Sequence, residues 1–237
     1  MQGIFDMHCH IVPGVDDGSK SLEESMAMLE MEYRDGVRNI ILTPHFRYDM
    51  FEPSDELVQK QYLRLKEAAA GKYNDLNLYL GCELHTSMDM VDCLRSGKRR
   101  TLAGSRYVLV EFSGGDEKIY VKERVQKLKL SGYYPIIAHV ERYRSVREDL
   151  DLIDELRGMG AFIQVNADTI TGKDGFMIKR FAKKLLKEEL LDFVGSDGHG
   201  SKSRTPDMAR AYAQVAKVKG ESYANRIFIG NPSKIVG

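Results

Sequence analysis

In the stretch FDMHCHIVPGVDDGSKSLEESMAMLEMEYRDG, residues 5–36, an apolar run closes on two histidines, passes through an acidic turn and opens a helix. Residues two apart on a strand point to one face, so His8 and His10 present both imidazoles to a single spot while Met7 and Cys9 face away. The loop that follows carries the acidic pair Asp16 and Asp17. Ser21 then caps a helix, with Glu24 completing a capping box and Gly36 ending it. Two imidazoles on one strand end, with carboxylates beside them, form one side of a metal site.

The same strand-then-helix pattern continues along the chain. Further short runs rich in β-branched and aromatic residues are NIILTPH (39–45), LYLGCEL (78–84), YVLVEFS (107–113), YPIIAHV (134–140), AFIQVNA (161–167) and LDFVGSD (191–197), which with the first makes seven expected strands. Amphipathic segments separate them. One of these, MIKRFAKKLLKEELL (177–191), places Ile178, Phe181 and Leu185 at core-facing spacing and turns its lysines to solvent. Alternating strands and helices imply parallel strands joined by right-handed crossovers, in an open sheet or a closed barrel. No repeat, low-complexity tract or linker divides the chain, so residues 1–237 are expected to form a single domain.

Composition narrows the function classes. Lys plus Arg equals Asp plus Glu at 35 each, so no global positive field favours nucleic acid or an anionic membrane surface. No stretch has the length and apolarity of a bilayer span, and the N-terminus lacks a basic region followed by an apolar run. Three scattered cysteines, Cys9, Cys82 and Cys93, suit a reducing compartment, and the expected location is cytoplasmic. Nothing in the sequence specifies an oligomeric state.

Metal-capable residues fall at one place on this map. His8 and His10 end the first expected strand, His45 the second, Glu83 the third, Glu111 the fourth and His139 the fifth, and the seventh closes on Asp197 and His199. Strand C-termini are where α/β and barrel enzymes assemble their sites. A lone histidine at a strand end is ordinarily a hydrogen-bonded surface residue, but chance does not account for so many together. Imidazoles and carboxylates without paired thiolates point to an ion of the Mn²⁺, Fe or Zn²⁺ kind.

The runs DMHCHIVPGVDDGSKSLEES, TPHFR, GCEL, VLVEF, IIAHVERY and GSDGH, followed by Arg204, resemble the polymerase-and-histidinol-phosphatase (PHP) superfamily over nearly the whole chain. They are most similar to its bacterial manganese-dependent protein-tyrosine-phosphatase branch, associated with capsular and exopolysaccharide synthesis. The resemblance implies a distorted seven-stranded (β/α)7 TIM-like barrel, the PHP fold, with three metal ions, Mn²⁺ in this branch, at the C-terminal mouth. It assigns His8, His10, Glu83 and Asp197 to the first ion, Glu83, Glu111 and His139 to the second, and Asp17, His45 and His199 to the third. Arg142 and Arg204 fall where the family places phosphate-binding arginines. The implied substrate is a phosphotyrosine protein, the tail of a bacterial tyrosine kinase, and the implied nucleophile is a metal-activated hydroxide.

Phe46, Arg47 and Tyr48 follow His45 directly and are expected on the rim, where an aromatic side chain packs against the phenyl ring and Arg47 meets acidic flanks. Two other classes share parts of this reading: a small-molecule phosphatase such as a histidinol-phosphate phosphatase, and a non-catalytic phosphotyrosine-binding regulator. A different chemistry is also written in CLRSGKR, residues 93–99, which satisfies the C-x5-R spacing of thiolate phosphatases. Such a loop needs a strand before it and a helix N-terminus after it. Here the cysteine follows an expected short helix and the arginine leads toward a strand.

Overall fold

The computed structural model describes residues 3–237. Its strands are β1 (Ile4–Cys9), β2 (Val37–Leu42), β3 (His45–Phe46), β4 (Asn77–Leu80), β5 (Glu83–His85), β6 (Tyr107–Glu111), β7 (Tyr134–Ile137), β8 (Phe162–Asn166) and β9 (Phe193–Gly195). Helices α1 (Leu22–Arg34), α2 (Asp55–Ala70), α3 (Met90–Arg95) and α4 (Lys118–Leu130) lie between the earlier strands, and α5 (Arg144–Glu148), α6 (Asp151–Gly158), α7 (Ala167–Thr171) and α8 (Phe176–Lys187) between the later ones. After β9 come α9 (Met208–Lys219), α10 (Glu221–Asn225) and α11 (Asn231–Val236). Every strand pairing is parallel, in a sheet ordered β1-β2-β4 and a longer one ordered β3-β5-β6-β7-β8-β9.

Two of the seven expected strands are interrupted, which is why nine appear. Pro44 has no N–H to give a ladder, and Thr43 is drawn instead to β1, donating its N–H to Cys9 O at 2.9 Å. Gly81 occupies the matching break in the neighbouring strand. A Cβ there would meet Leu102 Cδ2 at 2.7 Å, so a side chain has no room. Backbone bonds still cross both breaks: Gly81 donates to Leu42 O at 2.8 Å and Glu83 to Pro44 O at 3.1 Å. The outermost strands meet as well, Asp197 N–H donating to His8 O at 2.8 Å and His10 N–H to Gly198 O at 2.9 Å. The parallel sheet is therefore strongly curled.

Two apolar clusters line the two faces of the curl. Met7, Ile41, Leu109, Ile136 and Phe193, from five different strands, pack with Leu102 and with Ile235 of α11, which close the end where the strands begin. The larger cluster joins Cys9, Leu42, Val110, Ile137 and Val165 to helix residues such as Met28, Leu65 and Val125. Met7 and Cys9 thus enter different clusters. The expectation that both face the same way fails because the β1–β2 register shifts between Asp6 and Cys9. On α8, Phe181 and Leu185 are buried as expected.

The first βα loop is shaped by Gly18. A Cβ at that position would lie 2.2 Å from His10 O and 2.5 Å from His10 Cβ, so the turn can press against the histidine only because no side chain intervenes. Ser21 Oγ accepts from Glu24 N–H at 3.2 Å, but the Glu24 carboxylate reaches Lys20 N–H at 3.0 Å in place of the cap residue's own amide. Replacing Gly18 by Ala should cost about 1–3 kcal/mol through overpacking and displace His10. Thermal unfolding and Mn²⁺ titration of the purified variant measure both effects, and unchanged stability with unchanged metal binding would refute this account of the turn.

Candidate metal centre

The curl brings one end of every long strand to a common mouth. His8, His10 and Glu83 are fully buried there, Asp197, His139 and His199 almost so, and His45 is half-buried. Three groups of donor atoms lie close enough to share an ion: His8, His10, Glu83 and Asp197; His10, His45 and His199; and His45, Glu83 and Glu111. His139 joins the last group, with Nε2 2.8 Å from Glu83 Oε1 and 3.7 Å from Glu111 Oε1. Asp17 joins the second, its Oδ1 3.6 Å from His45 Nε2 and 3.5 Å from His199 Nε2. All nine metal-capable positions singled out in the sequence therefore lie around one mouth.

The unsatisfied atoms show what the cluster fits. Glu83 Oε2 makes no hydrogen bond, although His45 Nδ1, His8 Nε2 and His10 Nε2 stand 3.0, 3.1 and 3.2 Å from it. Asp197 Oδ1 and His199 Nε2 are likewise buried without a partner, and the Nε2 atoms of His8 and His10 face each other at 3.3 Å. Buried polar groups are nearly always paired. Here the lone pairs converge on shared points, which is the geometry a cation satisfies.

Charge follows the same plan. Burial pushes the Glu83 and Asp197 carboxyls up, but the surrounding imidazoles hold both well below the usual carboxylate range. Burial opposes protonation of His10, yet Asp16, Asp197 and Glu83 raise its pKa well above the ordinary value. His199 is pushed down to about 4 by burial and by His10, so it stays in the neutral, ligating form. Burial and the nearby Glu83 charge raise Glu111 to about 7.

Supporting polar groups, which the sequence reading did not single out for this role, orient the donors. Asp16 Oδ2 accepts from His10 Nδ1–H and from His45 N–H, each at 2.9 Å. Gln164 Oε1 stands 3.2 Å from His8 Nδ1 and accepts from His139 N–H at 2.7 Å. Tyr143 OH lies 3.2 Å from His139 Nδ1 and accepts from Phe112 N–H at 3.1 Å. Groups of this kind fix ring orientation and tautomer in metal sites. His139, Asp197 and Arg204 also hold left-handed backbone, with φ of 31°, 52° and 48°. Such conformations are costly outside glycine and cluster where a site dictates them.

Both arginines stand at the edge of the cluster. Arg142 donates to Asp197 Oδ2 at 2.5 Å, Arg204 to the same oxygen at 3.3 Å, and Asn166 Nδ2 to it at 2.8 Å. Arg204 also approaches Asp17 at 3.8 Å. The expected rim is partly revised. Phe46 is only 3 % exposed, with the Arg99 guanidinium 3.0 Å over its ring. On the two-residue β3 it points opposite to His45, as pleating requires. Phe51 takes the outer position instead, stacked on the His45 ring at 5.2 Å. Arg47 is half-buried beside it and exchanges backbone bonds with Phe51, while Tyr48 is exposed with its hydroxyl donating to Asp89 at 2.6 Å. His85, outside the strand-end pattern, is tied to Thr86 O and Ser113 Oγ, each at 3.2 Å.

The whole chain is similar to known proteins. The family described as "Capsular polysaccharide synthesis, CpsB/CapC" matches residues 4–237. The chain belongs to the CpsB/CapC family. It is 36% identical over 238 residues to the tyrosine-protein phosphatase CpsB of Streptococcus pneumoniae, covering 98% of both chains. To the tyrosine-protein phosphatase YwqE of Bacillus subtilis it is 31% identical over 201 residues, covering 85% of this chain and 79% of that one. A solved structure from work on YwqE and CpsB, described as unique metal-dependent tyrosine phosphatases, superposes with a TM-score of 0.87 at 29% identity, over 93% of this chain and 90% of that one. A histidinol phosphate phosphatase from Lactococcus lactis superposes at 0.61 with 14% identity over 98% of each chain, a likeness of fold.

The thiolate alternative finds no support in this CpsB/CapC chain. Cys93 lies inside α3, donating its N–H to Asp89 O at 3.0 Å and its thiol to Asp89 Oδ2 at 3.4 Å. The Arg99 guanidinium covers Phe46 and frames no phosphate cradle. Cys93→Ser should leave phosphatase turnover within about twofold of wild type. Loss of turnover with metal still bound would restore the thiolate.

Glu141, in the loop after β7, is buried among polar groups: its Oε1 accepts from Asn166 N–H and Thr169 OH, each at 2.8 Å, and its Oε2 has no partner. Burial raises its pKa to about 7 from 4.5. The stability this group contributes is full below pH 4.5 and is lost as pH rises toward 7, a swing on the order of 3 kcal/mol. Glu141→Gln should therefore gain on wild type by that order between pH 4 and pH 8. Denaturation of both, metal-saturated, across that range is the check, and a pH-independent difference would contradict it.

Proposed function

We propose that this protein is a metal-dependent protein-tyrosine phosphatase, acting on a bacterial tyrosine kinase that regulates capsular or exopolysaccharide synthesis. The observation that carries the reading is the convergence of buried, unpartnered donor atoms of Glu83, Asp197 and His199 on one mouth, with two guanidinium groups at its edge. Family membership, and relatives named as tyrosine-protein phosphatases at 31–36% identity, support it. The residues fit three ions, held by His8, His10, Glu83 and Asp197, by Glu83, Glu111 and His139, and by Asp17, His45 and His199; we assign Mn²⁺ from the family resemblance, the mixed imidazole and carboxylate donors suiting Fe and Zn²⁺ as well. The chain is read as one domain, a distorted seven-stranded barrel whose β2–β3 and β4–β5 segments each count as one broken strand. The three cysteines are free and buried, in keeping with a cytoplasmic setting.

When bound, such ions supply positive charge for the phosphoryl oxygens and acidify a water. Arg142 and Arg204 bind the equatorial oxygens, releasing Asp197 Oδ2 as they do so, and stabilise charge that spreads in the transition state. Asp16, Gln164 and Tyr143 hold the imidazoles in one orientation. Arg47, Tyr48 and Phe51 form the rim against which the substrate's phenyl ring rests. A phenyl arm carries phosphate to a recessed centre while the peptide backbone stays outside, and a serine arm is too short.

Chelator-treated protein should lose at least 90% of its turnover and recover it best with Mn²⁺. In Mn²⁺, kcat/KM should be at least about tenfold higher for a phosphotyrosine peptide than for the matched phosphoserine peptide, and higher than for histidinol phosphate. Full activity without metal, or a preference for histidinol phosphate, would overturn the assignment.

A further inference from the structure

A groove leaves the mouth at Arg142 and runs across α5 to α8. Glu141, Arg142, Arg147, Asp174 and Ile178 line its near part. Arg147 and Ile178 continue into a far part lined by Met177, Arg180 and Lys184. The two parts share Arg147 and Ile178, so they adjoin along a line from Arg142, which contacts Asp197, to the exposed face of α8.

Three cations follow one another along this path, and none is tied up in an ion pair. Among the described residues no carboxylate lies within 4.0 Å of Arg147, Arg180 or Lys184, whereas Arg144 on the neighbouring turn is paired with Glu148 at 2.7 Å and Lys173 with Asp168 at 2.9 Å. Arg147 donates only to a backbone oxygen, Glu141 O at 2.8 Å. The two acids that line the path are outnumbered by its cations. Glu141 is buried, its Oε1 accepting from Asn166 N–H at 2.8 Å, and Asp174 brings a single carboxylate, 2.6 Å from Thr169 Oγ1. Met177, 70% exposed, gives the groove an apolar edge beside its positive floor.

We infer that this groove is the docking track for the polypeptide flanking the phosphotyrosine, and that it selects substrates with acidic side chains on one side of that residue. The inference rests on the phosphatase reading and adds to it which surface reads the protein part of the substrate. Arg142 anchors the phosphate at the mouth, so chain leaving the site on that side meets Arg147 next and then Arg180 and Lys184. Rim charges of this kind act on association and salt dependence more than on the bond-breaking step. Selection should therefore appear in kcat/KM for peptides and not for a substrate too small to reach α8.

The test compares wild type with the double variant Arg180→Glu/Lys184→Glu, two exposed positions whose reversal leaves the buried face of α8 intact. Substrates are phosphotyrosine peptides with three acidic residues on the N-terminal side, on the C-terminal side, or none, together with p-nitrophenyl phosphate, in Mn²⁺ at low and physiological salt. Wild type should prefer one acidic peptide by about tenfold over the neutral one, with the preference shrinking at higher salt. The variant should lose that preference while hydrolysing p-nitrophenyl phosphate at the wild-type rate. Equal use of all three peptides by wild type, a preference that survives in the variant, or an equal fall on p-nitrophenyl phosphate would each overturn the docking track. Wild type that hydrolyses p-nitrophenyl phosphate but no phosphotyrosine peptide would overturn the protein-phosphatase reading, and the track with it.

Discussion

A carboxylate with no exposed surface, Glu83, stands among four imidazoles, and the architecture around the mouth answers to that constraint. An ionised carboxylate in a protein interior is expensive unless charge and hydrogen bonds compensate it. His139 Nε2 bonds Oε1 at 2.8 Å, and His8, His10 and His45 bring nitrogen atoms within 3.2 Å of Oε2, but those three contacts fall outside hydrogen-bond geometry. The protein keeps this group because β5 begins at Glu83, beside His45 on β3 and Leu109 on β6. Breaking the strands at Pro44 and Gly81 is what allows β3 and β5 to bring His45 and Glu83 alongside each other.

Asp197 plays a complementary part. Its two oxygens divide their neighbours: Oδ1 faces the imidazoles of His8, His10 and His199 at 3.4–3.6 Å, and Oδ2 collects Arg142, Arg204 and Asn166. One side chain thereby joins the centre to the cationic edge, and its left-handed backbone sets the direction of both. Both guanidinium groups are thereby held at the edge of the donor cluster by the same carboxylate oxygen.

Much of this was legible in the sequence, for a physical reason. Histidine, aspartate and glutamate at the ends of apolar runs conflict with burial, so His8, His45, Glu83, Glu111, His139 and Asp197 stand out against the strands that carry them. Ser21 and Gly36 announced α1 through local capping chemistry alone. Asp16, Gln164 and Tyr143 gave no comparable signal, because their role depends on which imidazole nitrogen they meet after folding. Asp16 beside Asp17 read only as part of an acidic turn, and Gln164 as a strand residue. Phe46 was misplaced because proximity to His45 in sequence says nothing about face on a strand as short as β3, and Phe51 was passed over for lying five residues beyond it. The apolar runs of β2–β3 and β4–β5 looked continuous since hydrophobic pattern does not register a missing N–H or a crowded Cβ.

The bonds from Asp197 N–H to His8 O and from His10 N–H to Gly198 O also set a timetable. They join positions almost 190 residues apart, so His8 and His10 wait for the last strand, β9, before their partners exist. During synthesis the N-terminal βα units can form local contacts, but the centre itself is a late event of high sequence separation. The donor set at the mouth is thus complete only once β9 and the residues after it are in place.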